Sequence, residues 1–169
     1  MDRFGPFSRP AALCLLTALL AGAACGGDAE PAIGNRLWVD HLPADRRDPI
    51  AALIVGEADE SGRTFGAFFQ GTAFRGRFDL FEWIPGDDGE RATIKLLQDG
   101  REARVKIHRC EPDPKLDFCV ELRGDPHGVT RYQSRRRWGA RGRHADPAGI
   151  VASVLADDPE LAPAFADPP

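Results

Sequence analysis

The sequence lacks an apolar run long enough to cross a membrane as a helix. Its most apolar stretch, residues 11–24, holds fourteen residues. As a helix these residues would span about 21 Å of a hydrocarbon layer that is roughly 30 Å thick. An excess of positive charge is also lacking, since 22 Lys and Arg stand against 26 Asp and Glu. This balance argues against nucleic acid as a partner.

The spacings that mark common catalytic and metal sites are missing as well. The sequence has no Gly-x-Ser-x-Gly turn and no glycine-rich phosphate loop, and its four histidines are not at metal-ligand spacing. His41 is the best candidate for a general base, with an ordinary residue at a strand end as the alternative. The acidic pairs at 59–60 and 87–88 lie in turns without the ligand alternation of a calcium loop. We therefore predict no catalytic residue, no metal and no cofactor.

The amino end has the features of an export signal. Two arginines precede the apolar stretch, and small residues at 21–24 lead directly to Cys25. Residues 19–25 resemble the lipobox of bacterial lipoproteins, in which the cysteine is acylated and becomes the first mature residue. The resemblance implies a signal peptide over 1–24 and a lipid on Cys25. Cleavage after the Ala-Gly-Ala triplet at 21–23, giving a soluble protein, is the alternative.

The residue after Cys25 predicts which membrane holds the protein. Gly26 stands at this position, and by resemblance to Gram-negative lipoproteins a residue other than aspartate implies the outer membrane. The expected location is therefore the cell envelope, on the periplasmic or the surface face of that membrane, and the membrane itself is the expected partner through the lipid.

The number and positions of the cysteines agree with this expected location. Of four cysteines, Cys14 leaves with the signal and Cys25 takes the lipid, so Cys110 and Cys119 remain. In an oxidising compartment this remaining pair is expected to form a disulfide, whereas a zinc site would need ligands that the histidines do not supply.

The mature chain divides by composition into three parts. Small and polar residues over 25–34 predict a tether, and short runs rich in Val, Ile, Phe and Trp over 35–140 predict a β domain. Residues 141–169 are expected to form a basic loop, a short helix that begins at Asp146-Pro147, and a disordered acidic tail.

The predicted fold is all-β, an antiparallel meander of about seven or eight strands that forms a small barrel or a partly open sheet, with one short C-terminal helix. Its topology resembles the up-and-down barrels of the calycin type. That resemblance implies, as an alternative function, a carrier with a cavity for one small hydrophobic ligand.

Three local signals predict details of the sheet. Asp99-Gly100 is typical of a two-residue type I′ turn and places Ile94 opposite Val105. Pairing the two remaining cysteines across the next hairpin places Ile107 opposite Leu122 on the same inner face. A switch in the apolar alternation predicts a β-bulge near Leu80.

An arginine-rich run over 131–144 is the most unusual feature of this acidic protein. Arginine with interleaved aromatic residues suits anionic lipid, lipopolysaccharide or cell-wall polymer. We therefore predict an anionic-surface site made of Arg135, Arg136, Arg137, Arg141 and Arg143. The alternative is a solvated strand face neutralised by the acidic tail, whose carboxylates are Asp146, Asp157, Asp158, Glu160 and Asp167.

Taken together, these patterns predict an exported, lipid-anchored envelope protein without enzymatic activity that acts as a binding or structural module.

Overall fold

Eight antiparallel strands close into a barrel in the computed structural model, which describes residues 33–72, 75–140 and 146–165. Each strand pairs with the next along the chain, and the last strand pairs with the first. The strands are β1 (Arg36–Val39), β2 (Ile50–Ala58), β3 (Thr64–Gly71), β4 (Gly76–Pro85), β5 (Arg91–Leu96), β6 (Glu102–Arg109), β7 (Phe118–Arg123) and β8 (Arg131–Ser134). The predicted all-β meander with a C-terminal helix is confirmed, and of the two predicted forms the structure shows the closed barrel.

The barrel interior is filled by side chains. Alternate residues of each strand point inward, as the period of two requires. Each member of this inner cluster is at most 7% exposed, which indicates a densely packed interior. The inner cluster consists of Trp38, Leu53, Val55, Phe68, Phe81, Trp83, Ala92, Ile94, Leu96, Val105, Val120, Leu122 and Tyr132.

A second apolar cluster covers the outer face of β1 to β3. The helix α1 (Pro147–Ala156) lies there, and Asp146 caps its first turn by accepting a hydrogen bond from the amide of Gly149. Its buried residues Val151, Val154 and Leu155 pack on the sheet. A four-residue helix, α2 (Ala162–Phe165), follows. Neither described helix is long and apolar enough to cross a membrane.

The predicted turn at Asp99-Gly100 is wrong in its length. Ile94 pairs with Ala103 and not with Val105. The loop has four residues, 97–100, and is closed by a hydrogen bond from the amide of Leu96 to the carbonyl of Arg101 at 2.8 Å. Gly100 takes a positive φ of 71° at the last position of this loop. The shift is by two residues, so the inward and outward faces remain as predicted.

The register of the next hairpin is confirmed. Ile107 pairs with Leu122, and a disulfide joins Cys110 to Cys119 across a Cα separation of 5.0 Å. The bridge closes the loop between β6 and β7. On its outer side, the Arg131 guanidinium Nε lies 3.3 Å from the Cys119 sulfur.

The predicted bulge near Leu80 is wrong, since β3 and β4 pair without interruption. The irregularity lies in β2, between Val55 and Ala58. Gly66 explains the uninterrupted pairing, because the ring of Phe81 lies where a Cβ on Gly66 would be, at 2.3 Å. Glycine lets the aromatic ring cross the neighbouring strand inside the barrel.

Both ends of the β domain extend further than predicted. Ile33, expected in the tether, packs against the inner cluster, and its carbonyl accepts a hydrogen bond from Trp38 Nε1 at 2.9 Å. At the carboxyl end, the predicted disorder is wrong for residues 157–165. Asp158 is buried there and Leu161 belongs to the outer apolar cluster.

Candidate functional site

The arginine run leaves β8 and crosses the outer face of the barrel, where two of its arginines meet the acidic tail. Arg135 donates to both carboxylate oxygens of Asp158 at 2.9 and 3.0 Å and to Glu160 at 2.8 Å. Arg137 donates to the same two oxygens of Asp158 at 2.9 and 3.0 Å. The indole N–H of Trp138 adds a third donor at 2.7 Å. We call these five residues the carboxylate clamp.

The clamp keeps its central carboxylate ionised. The Asp158 side chain is 0% exposed, and burial by itself would raise its pKa. Hydrogen bonds from Trp138 and Arg137, together with the charge of Arg135, outweigh that effect and hold the pKa of Asp158 below its usual value. An ionised, fully bonded carboxylate in this place fastens the segment after α1 to the barrel.

The predicted anionic-surface site is therefore only partly available. Arg135 is 3% exposed, so it does not belong to an external surface, and here the acidic tail neutralises the run as the alternative expected. Arg137 is half-exposed but bonded to the same carboxylates. Arg136 is exposed, with its amide donating to Asp117 at 2.7 Å. Arg141 and Arg143 lie outside the described residues, and so does the predicted lipid site, Cys25.

Arg136 borders a surface pocket of about 550 Å³ between the clamp and the disulfide-closed loop. Its guanidinium lies 5.8 Å from the ring of Phe118, and that of Arg36 lies 4.5 Å from the same ring. The pocket also has Lys115 and Asp117 on its wall. Four cations and two acids line it, but two of the cations, Arg135 and Arg137, are already paired with Glu160 and Asp158.

His41 and His108 make polar contacts with acidic residues of the barrel. His41 lies 3.0 Å from Asp40 and 3.4 Å from Asp48, and all three side chains are partly exposed at the rim of the barrel. His108 pairs with Glu121 across two strands, in the predicted register. These positions give the predicted polar contacts at strand ends and on the outer face.

The loop between β7 and β8 closes one end of the barrel. His127 stacks on Phe68 with a centroid separation of 4.7 Å, and its Nε2 lies 3.3 Å from a carboxylate oxygen of Asp79. Asp125 accepts hydrogen bonds from the amide of His127 at 2.7 Å and from the hydroxyl of Tyr132 at 3.0 Å. Burial raises the pKa of Asp125. This polar cap seals the inner cluster from solvent.

A second group of basic side chains lies on the outer face of β5 to β7, away from α1. Strand pairing aligns Ile84, Thr93 and Arg104 in one row across β4, β5 and β6. The next row is entirely basic and runs across β5, β6 and β7. We call the four cations of these two rows the basic band: Arg91, Arg104, Lys106 and Arg123.

The cations of the basic band are exposed, and two of them have no ion-pair partner. Arg91 pairs with Asp88 in the adjacent turn, at 2.6 Å, and Arg123 lies 3.6 Å from Glu121. Arg104 and Lys106 form no ion pair with the described residues. The strand register places Arg91 and Arg123 beside Lys106.

No group of three or more potential metal ligands occurs within residues 33–72, 75–140 and 146–165. Comparison with family models, with curated proteins and with solved structures finds no match for this chain.

Proposed function

We propose that this protein is an exported lipoprotein, cut before Cys25 and held by a lipid on that residue to the outer membrane. Its barrel is a non-enzymatic binding or structural module of the cell envelope. The lipobox-like residues 19–25 support the anchor. The disulfide between Cys110 and Cys119 supports an oxidising compartment.

The packed interior is the observation that carries the proposed role of the barrel. Large aromatic side chains, among them Trp38, Phe81 and Tyr132, occupy the centre and have at most 1% exposure. A barrel of eight strands is just wide enough for its own side chains to fill. Binding by this domain is therefore expected on its outer surface, and α1, which packs against β3 and β4, leaves the face of β5 to β7 uncovered.

The carrier alternative requires space that the inner cluster occupies. A drug-sized ligand needs a cavity of roughly 300 Å³ or more. Native mass spectrometry of the purified protein checks this alternative directly. We expect the mass of the polypeptide and its anchor alone, whereas a co-purifying hydrophobic molecule that leaves on organic extraction would favour the carrier.

The anchor is tested by comparing the wild type with Cys25→Ser in the producing bacterium. We expect wild-type protein in the membrane fraction with acyl chains on the first mature residue, and release of the variant from that fraction. Cys14→Ser is the matched control and should leave the anchor unchanged, because that residue is removed with the signal. A mature chain that begins at Ala24 without lipid would contradict the proposal.

A further inference from the structure

The basic band places like charges opposite one another on neighbouring strands, which lowers the stability of the sheet. Lys106 stands directly opposite Arg91 on one side and Arg123 on the other. Like charges that face each other across strands are destabilising. The other charged cross-strand pairs of the described barrel are of opposite sign, as in Glu82 with Lys95. This single row is thus an exception within the sheet.

The rows on either side of the basic band contain acids. On one side Lys95 lies between Glu82 and Glu102, and on the other side Glu121 lies between His108 and Arg131. The band is therefore a narrow basic track. Because adjacent strands are about 4.8 Å apart, the three cations of the full row extend over about 10 Å.

A shallow groove accompanies the track. Its volume is about 520 Å³, and its wall includes Arg91, Arg104 and Lys106 as cations but only Asp87 as an acid. Ile84, which is 43% exposed, provides an apolar surface beside these charges. Cations next to an exposed apolar surface suit a ligand that has anionic groups on a carbon framework.

The position of the band favours a polymer over a flat membrane. The chain enters the barrel at the end that also carries the turns 59–63 and 86–90, because the strands form a meander. These turns hold five carboxylates and one arginine. An anionic leaflet would repel that end, while the band faces sideways from the barrel wall.

We propose that the basic band binds an anionic polysaccharide of the cell envelope through the carboxylate or phosphate groups along its chain. This inference rests on the proposed function for its location, since it needs an exported protein to meet such a polymer. Lys106 is the centre of the site. Arg91 and Arg123 contact successive anionic groups, and Arg104 with Ile84 forms the groove in which the sugar ring lies.

Binding is tested with the purified mature protein carrying Cys25→Ser, so that no lipid contributes. The probes are polygalacturonate for carboxylates, polyphosphate for phosphates, neutral dextran, and vesicles of phosphatidylglycerol with phosphatidylcholine. We expect saturable binding to at least one of the two polyanions, weakening as salt rises, and no binding to dextran. Weaker binding to the vesicles than to the polyanion is also expected.

The matched variants are Lys106→Gln and Lys95→Gln, which remove the same charge from two outer rows of the barrel that are separated by the row of Arg104. A cation near an anionic surface contributes about 1 kcal/mol, so Lys106→Gln should weaken binding about fivefold. Lys95→Gln should change it less than twofold. Arg136→Gln, in the arginine run, should also have little effect, and circular dichroism confirms that each variant is folded.

Three results would overturn the inference. Equal losses for Lys106→Gln and Lys95→Gln would show that only net charge matters. Binding to the vesicles with no binding to either polyanion would assign the band to lipid. Binding that persists in the variant Arg104→Gln/Lys106→Gln/Arg123→Gln would place the site elsewhere. These outcomes do not depend on the anchor, which the Cys25→Ser fractionation tests separately.

Discussion

Two groups of basic side chains on this barrel have opposite surroundings. Arg135 and Arg137 are neighbours in the sequence, and the structure bonds both to Asp158. Lys106 and Arg123 are far apart in the sequence, and strand pairing places them side by side without a shared acid. The comparison shows that neighbouring basic residues in a sequence do not by themselves form a basic surface. Whether they do depends on which acidic groups each side chain pairs with in the folded protein.

The largest loss of stability is expected when the central carboxylate of the carboxylate clamp is removed. Asp158→Asn removes the buried carboxylate and leaves Arg135 with only the exposed Glu160 as an acidic partner. Breaking a buried ion pair costs up to about 3–5 kcal/mol. We expect the melting temperature to fall by roughly 10 °C. Thermal unfolding followed by circular dichroism measures the change.

Asp157→Asn is the matched control for that variant, since it makes the same chemical change at an exposed neighbouring residue. It should alter stability by less than about 1 kcal/mol. Equal effects at the two positions would mean that the clamp does not hold the carboxyl-terminal segment on the barrel.

Acid should remove the same stabilisation from the wild type. The pKa of Asp158 is lower in the folded protein than its usual value of about 3.9, so its contribution is complete above that pH. It is lost as the pH falls through the folded-state pKa. The stability difference between wild type and Asp158→Asn, measured by urea unfolding from pH 7 to pH 3, should therefore shrink. A difference that stays constant would contradict the low pKa.

The disulfide offers a test that should affect stability and leave the basic band intact. The double variant Cys110→Ser/Cys119→Ser should lose roughly 2–3 kcal/mol, because the unfolded chain regains the freedom of the open loop. Polyanion binding should be unchanged, since Arg123 lies at the opposite end of β7. Reductant should lower the urea midpoint of the wild type to that of the variant. A further shift of the variant itself would show an effect unrelated to the bridge.

The smallest expected effect is an increase in stability, and it tests the charge repulsion within the basic band directly. Lys106→Glu converts two like-charge contacts, with Arg91 and Arg123, into attractive ones and should raise stability by about 0.5–1 kcal/mol. Lys95→Glu, flanked by Glu82 and Glu102, should lower it by a similar amount. Urea midpoints at low salt measure both changes. If Lys106→Glu destabilised the barrel, the band would not be a site of charge repulsion.

Most of the fold follows from local patterns. The alternation of apolar residues predicted the strands and their inward faces, and the cysteine pair predicted the register that joins Ile107 to Leu122. The turn at Asp99-Gly100 was wrong because a Gly with positive φ also ends a four-residue loop. Since that error shifts the pairing by two residues, it leaves the faces unchanged.

The sites were harder to predict because their partners are distant in sequence. Nothing local marks Asp158, after α1, as the partner of Arg135, and the surrounding prolines favoured disorder. The basic band required the correct register, because the predicted hairpin would have placed Lys106 opposite Thr93 and not opposite Arg91. Long-range pairing, which a single sequence does not show, decided both cases.

The pairing of β1 with β8 determines when the barrel can close during folding. These strands join through Val39 and Gln133, and Asp158 fastens the outer face beyond them. A chain that emerges amino end first cannot close its barrel until β8 is free. Until then Leu37 and Val39 remain exposed and folding waits on these distant contacts. The growing chain therefore exposes apolar strand residues until β8 is made, and it is most open to aggregation during that interval.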